Sequence, residues 1–238
     1  MNSADRIILA LDGMDEFQSL SMVETIEGLC WVKVGLELFT AAGPSIVAQL
    51  KHRGLRVFLD LKFHDIPATM GGACCSAARL GAELITVHAC AGKEGLRQAL
   101  AGAAAGAERA GLDQVPQLLA VTVLTSWSAA RLHEQLRCDL ALPDYVSHLA
   151  ALAADAGVTG CVCSPHELPR LREHHPEPFA LVTPGIRPAD TATGDQMRVM
   201  TPAEAVGAGA TRLVIGRPIT TAPDPAVAFA RCCAELAG

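Results

Sequence analysis

The chain has 238 residues, half of them hydrophobic but only 4% aromatic, and a formal net charge of −6. That length suits one domain of α/β-barrel size with a large core, and the negative charge, with no cluster of Lys and Arg, speaks against a nucleic-acid partner. No long apolar stretch is free of charges and turn signals, and the first residues lack the basic-then-apolar order of a signal peptide, so a cytoplasmic protein with no membrane span is expected.

In chain order, one unit repeats: a short β-rich apolar run, a polar turn, then a segment with helical periodicity. Strands are predicted over residues 6–12, 31–35, 56–60, 84–88, 118–124, 159–164, 180–183 and 212–216. Most are apolar on both faces, as the strands of a parallel sheet covered on both sides must be. Between them, residues 44–52 bring Ile46, Val47 and Leu50 together at helical spacing, and the Ala-rich stretch 68–80 stops at Gly81. The helices predicted over 202–208 and 225–236 each open on a proline, Pro202 and Pro225, where a missing N–H costs nothing. The Ala/Gly-rich stretch 99–107 falls where the fourth helix belongs and reads as a tightly packed helix. Eight alternations without a composition break or linker predict a single (β/α)8 TIM barrel over residues 1–238. The nine cysteines show no C-x-x-C and no zinc-ligand spacing, so they are expected to be reduced thiols used as small core residues.

Active sites of such barrels lie at the C-terminal ends of the strands. The ionisable residues of this chain gather there: Asp12 on the first strand, Lys33 on the second, Asp60 on the third with Lys62 and Asp65 after it, and His88 on the fourth. Asp60 and Lys62 are two apart, so on a strand they point the same way, and Lys33 on the neighbouring strand can reach the same space. Two carboxylates and two ammonium groups there can form an alternating network in which each charge holds its neighbours ionised. An isolated D-x-K is ordinarily a surface ion pair; the apolar strand before it and Lys33 beside it favour a site here. Thr125 and Ser126, after the fifth strand, can read the edge of a heterocycle or simply cap the next helix. Pro184, Gly185 and Arg187 after the seventh strand, with Gly216 and Arg217 after the eighth, fit a phosphate grip made of two arginines and backbone N–H groups. The loop between them, 188–200, is rich in Asp, Thr and Gly and reads as a lid, with Gln196 over the substrate. His64 and His88 are expected to be structural.

Taken together these pieces resemble the orotidine 5′-phosphate decarboxylase family over nearly the whole chain and in the same order. The resemblance is carried by Ala10-Leu11-Asp12, Val32-Lys33-Val34-Gly35, the long run Phe58-Leu59-Asp60-Leu61-Lys62-Phe63-His64-Asp65-Ile66-Pro67, Val121 to Ser126, Thr183 to Arg187, Asp195-Gln196 and Gly216-Arg217. It implies conversion of orotidine 5′-monophosphate (OMP) to UMP and CO2 with no metal and no organic cofactor. Lys62 would protonate C6, Asp60 would sit beside the substrate carboxylate, Lys33 would order the network and touch the ribose, and Asp12 would contact the ribose. It further implies a homodimer in which Asp65, Ile66 and Thr69 reach the other subunit's site. Two positions depart from the family pattern: Ala68 stands where Asn or Thr is expected, and Trp127 is bulkier than expected after Ser126. A rival class with the same D-x-K-x-x-D barrel resembles the Mg2+-dependent 3-keto-L-gulonate 6-phosphate decarboxylases and hexulose-phosphate synthases. The Leu124-Thr125-Ser126 segment and the Phe63 to Pro67 continuation argue against it. A non-catalytic nucleotide-binding barrel would keep the arginines and lose Lys62, which is present.

Overall fold

The computed structural model describes residues 2–188 and 200–237. Its eight strands are β1 (Ile7–Ala10), β2 (Trp31–Gly35), β3 (Arg56–Phe63), β4 (Leu84–His88), β5 (Gln117–Val121), β6 (Gly160–Val162), β7 (Ala180–Thr183) and β8 (Arg212–Ile215). They form a closed barrel in sequence order. Every pairing is parallel, and Ile7 against Leu213 closes β1 onto β8. Helices alternate with the strands, so the chain is a (β/α)8 TIM barrel, as the strand count implies. Several predicted strands have different ends: β1 stops at Ala10, leaving Asp12 just beyond it, and β6 and β8 are shorter than predicted. β3 runs on to Phe63 instead of stopping at Asp60, and β5 stops at Val121, short of Leu124.

Strand alternation divides the apolar residues into two layers. Ile7, Leu9, Val32, Val34, Val57, Leu59, Ile85, Val87, Leu118 and Ala120 pack outward in one core cluster with the helices. Ile8, Ala10, Trp31, Phe58, Leu84, Leu119, Ala180, Val182 and Val214 form a second cluster inside the barrel. Trp31 is the first residue of β2, and the guanidinium groups of Arg56 and Arg212, which begin β3 and β8, lie 4.6 and 4.7 Å from its ring centroid. Such contacts join a buried aromatic to two cations at the N-terminal end of the barrel. The inward positions that follow on the same strands, Lys33, Asp60 and Thr86, are the polar ones. The sequence therefore seals one end with rings and aliphatics and leaves chemistry for the other.

The helical predictions hold with small shifts at their ends: Ser45–His52, Pro67–Arg79, Pro202–Gly207 and Pro225–Glu235. The Ala/Gly stretch lies within helix Gly92–Arg109, which packs against Pro67–Arg79 with the backbones nearly touching. A Cβ on Gly102 would stand 2.0 Å from the carbonyl oxygen of Gly71, and one on Gly106 would stand 2.3 Å from that of Cys75. All nine cysteines are free; Cys74, Cys161, Cys163 and Cys232 are buried, and burial pushes the thiols of Cys74 and Cys232 up to about 12. Such thiols stay protonated and behave as small apolar core residues. Among the described residues no helix is long and apolar enough to cross a membrane.

The helix seam yields a stability prediction. Gly102→Ala must force two helix backbones apart, a cost of about 3 kcal/mol and a fall in Tm of roughly 6–12 °C. Gly207→Ala, on an exposed helix position with nothing within 4 Å of the new Cβ, should change Tm by less than about 2 °C. Thermal melts of the two variants check this; equal melting temperatures would contradict the close packing.

Candidate active site

The site starts from an irregularity in β3. Leu59 pairs with Ile85, yet Phe63 pairs with Val87, so four residues advance along β3 while two advance along β4. The excess is absorbed at Lys62, whose φ of 51° lies in the left-handed region. A lysine held there costs on the order of 1 kcal/mol, and the surrounding structure must hold it. One restraint is visible: the Lys62 N–H donates to Thr86 Oγ1 at 2.8 Å. Asp60 and Lys62 do converge, as simple alternation implies, but through a bulge and not through a regular strand.

Four charges then form a line. Lys33 Nζ lies 2.7 Å from Asp12 Oδ1 and 3.3 Å from Asp60 Oδ2, and Lys62 Nζ lies 2.9 Å from the same Asp60 oxygen. The signs alternate from Asp12 through Lys33 and Asp60 to Lys62. Asp60 and Lys33 are buried, Lys62 is partly covered, and Asp12 is open. Burial alone would raise the Asp60 pKa, but the Lys33 and Lys62 charges, with hydrogen bonds from Lys62 and Thr86, outweigh it and hold the carboxyl below its ordinary range. The sign is that of a depressed carboxylate. The network's contribution to stability is present above the ordinary carboxylate pKa and is lost as the pH falls through the lower, folded value. Gly35 makes the cluster possible: a Cβ there would fall 2.5 Å from Asp12 Oδ1 and 3.0 Å from Lys33 Nζ.

These groups line a cavity of about 610 Å³ together with Thr125, Pro184, Arg187, Gly216 and Arg217. That volume suits a small-molecule ligand. β7 and β8 stand four and three strands from β3 in a ring of eight, so the arginines that follow them face the Asp60–Lys62 pair across the barrel mouth. Arg187 is buried and Arg217 exposed. The Arg187 N–H donates to the Met200 carbonyl at 3.0 Å, and Ile186 pairs with Met200. Both ends of the segment after β7 are thus tied together beside the cavity. Gln196, Asp195 and most of the segment read as a lid lie outside the described residues.

Four sequence-predicted site residues are not part of the cavity wall. Ser126 is exposed one residue beyond Thr125, its carbonyl held by Arg131 at 3.2 Å, while Arg131 also lies 5.2 Å from the ring of Trp127. Asp65, Ile66 and Thr69 are exposed on the far side of the bulge, where Asp65 Oδ1 accepts the Ile66 N–H at 2.6 Å. Ile66 is 66% exposed, unusual for so large an apolar side chain beside a site. Within one chain the carboxylate that completes the charge line is accordingly Asp12, while Asp65 stands outside it. The rings of His64 and His88 are 5.5 Å apart. Burial first, then the neighbouring charges of His64 and Lys62, lowers the His88 pKa.

The sequence reading passed over several wall residues: Phe58, Val123, Val162 and Cys163 as apolar lining, and Glu37, whose carboxylate accepts the Gly13 N–H at 3.2 Å. It also passed over Thr86, buried beneath the charges. Counting in twos along each strand would have found Phe58, Thr86 and Val162; Val123 and Cys163 lie just past strand ends and Glu37 is in the first turn of the helix after β2, where strand alternation gives no signal.

Comparison with known proteins agrees with this layout. Residues 5–232 match the family model described as orotidine 5′-phosphate decarboxylase / HUMPS family. The orotidine 5′-phosphate decarboxylase of Parasynechococcus marenigrum (strain WH8102) is 64% identical over 99% of this chain and 95% of that protein. That of Synechocystis sp. (strain ATCC 27184 / PCC 6803 / Kazusa) is 50% identical over 98% of each. Among solved structures, the orotidine 5′-phosphate decarboxylase from Lactobacillus acidophilus superposes with a TM-score of 0.86 at 38% identity, covering 98% of this chain and 99% of that one. With the signature run on β3, the charge line and the two-arginine rim in one barrel mouth, this chain belongs to the orotidine 5′-phosphate decarboxylase / HUMPS family.

Proposed function

We propose that the protein is a carboxy-lyase that converts OMP to UMP and CO2 in de novo pyrimidine biosynthesis, without a metal or organic cofactor. The observation that carries this reading is the buried Asp60 carboxylate, wedged between Lys33 and Lys62 and facing two arginines across one cavity. The arginines, with backbone N–H groups near Gly216, take the 5′-phosphate. Asp12 and Lys33 take the ribose, and Thr125 on the cavity wall takes the pyrimidine edge, with Ser126 reaching it from one residue beyond the wall. Pro184 of the cavity wall contacts the substrate, as does Gln196, which lies outside the described residues.

That pose sets the substrate carboxylate against Asp60. The C6–CO2 bond breaks, CO2 leaves, and the bonding pair stays on C6. The Lys62 ammonium then gives its proton to that carbon and recovers one from water. The positive charge of Lys62, fixed beside the developing carbanion, stabilises the transition state more than the ground state, while the Asp60 carboxylate disfavours the neighbouring substrate carboxylate. Phosphate binding far from C6 supplies energy for ordering the site. Asp65, Ile66 and Thr69 of one protomer complete the site of the other in a homodimer, which accounts for their exposure in a single chain. The nine reduced thiols suit a cytoplasmic setting. The Mg2+-dependent members of the same fold require a metal-held enediolate, so metal dependence separates the two readings.

Three outcomes test the proposal. OMP should lose its absorbance in the presence of purified protein and excess EDTA; activity that appears only with added Mg2+ would overturn the reading. Lys62→Ala should lower turnover to under about one-hundredth of wild type while UMP binding stays measurable by calorimetry. Higher residual turnover would remove Lys62 from the proton-donor role. Arg217→Ala should raise KM by about 10- to 150-fold, as loss of a charge-assisted phosphate contact does, with partial rescue by guanidinium. An unchanged KM would count against the phosphate assignment.

A further inference from the structure

We infer that Thr86 is a positioning residue for the proton-transfer pair: its single hydroxyl locks both the backbone of Lys62 and the carboxylate plane of Asp60. The inference rests on the decarboxylase reading above and deepens it. Thr86 is fully buried on β4, at the inward position between Leu84 and His88. It stands opposite the excess residues of the β3 bulge, between the paired positions Leu59–Ile85 and Phe63–Val87.

The direction of each hydrogen bond follows from chemistry. An amide nitrogen can only donate, so the 2.8 Å contact from Lys62 N uses a Thr86 lone pair. The one Thr86 O–H proton is then left for Asp60 Oδ1 at 3.0 Å, and an ionised carboxylate can only accept. The two Asp60 oxygens are thereby assigned separate tasks. Oδ2 takes both ammonium groups, from Lys62 at 2.9 Å and from Lys33 at 3.3 Å. Oδ1 is held by Thr86, which stops the carboxylate from rotating about its Cβ–Cγ bond. The same hydroxyl holds the Lys62 amide in its left-handed conformation at φ 51°. One buried group therefore fixes the base of the Lys62 side chain and its electrostatic partner at once. Geometry of this kind matters most to the chemical step, because small misplacements of a reacting group lower rate far more than affinity.

Thr86→Val keeps the shape and removes both hydrogen bonds; Thr86→Ser keeps the hydroxyl. With OMP as substrate, Thr86→Val should lower kcat by about 10- to 100-fold with KM within about threefold of wild type, and Thr86→Ser should stay within about threefold in both. The acid limb of the Thr86→Val rate profile should move to higher pH, since Asp60 loses a hydrogen bond that favours its ionised form. UMP binding reports folding in each variant, and Thr86→Ala gives the same reading should Thr86→Val not fold. A kcat within about twofold of wild type for the folded variants that lack the hydroxyl, or an equal loss in Thr86→Ser, would overturn the inference. A wild-type protein inactive on OMP would instead sink the decarboxylase reading itself.

Discussion

Asp60 is the constraint on which the rest of the site depends. A carboxylate buried to that degree is unstable as an ion unless cations and donors surround it. Lys33, Lys62 and Thr86 meet that need from three adjacent strands. Each partner is in turn tied down: Lys33 by Asp12, Lys62 by its backbone bond to Thr86. Breaking one member leaves a buried charge without compensation, so the group behaves as a unit whose effects do not add.

The barrel supplies what such a unit requires. Strand alternation sends one residue in two inward, so adjacent parallel strands present their inner side chains close together. The lower inner layer is apolar and closed by Trp31 and Phe58. The charges stand above it, shielded from below and open to the cavity. The bulge in β3 adds what a regular strand cannot: it re-aims Lys62 so that its ammonium returns to Asp60. The helix after β3 presses against Gly92–Arg109 through glycines that admit no side chain, which fixes the segment carrying Asp65, Ile66 and Thr69.

Much of this was legible in the sequence, for identifiable reasons. The eight strands announced themselves because parallel strands buried on both faces are continuous apolar runs. Lys33, Asp60 and Lys62 stood out because charged side chains are rarely buried and these fall within or at the end of otherwise apolar runs. The strand ends were less legible. β3 runs three residues past its predicted stop because Leu61 and Phe63 remain paired or buried around the bulge, and a bulge leaves no periodicity to read. Thr86 was hidden by its ordinariness, since a threonine in a β-rich run is good strand former before it is anything else. Asp12 was visible as a strand-end acid, but only the fold showed that it, and not Asp65, closes the charge line within one chain.

Turnover requires the negative charge on Asp60, fixed between two lysines and set against the substrate carboxylate. Asp60→Asn tests it most directly, because the amide keeps the size and removes the charge. Steady-state decarboxylation of OMP by this variant should fall by about 100-fold or more, with UMP binding, which involves no substrate carboxylate, retained. Turnover within about tenfold of wild type would contradict the claim.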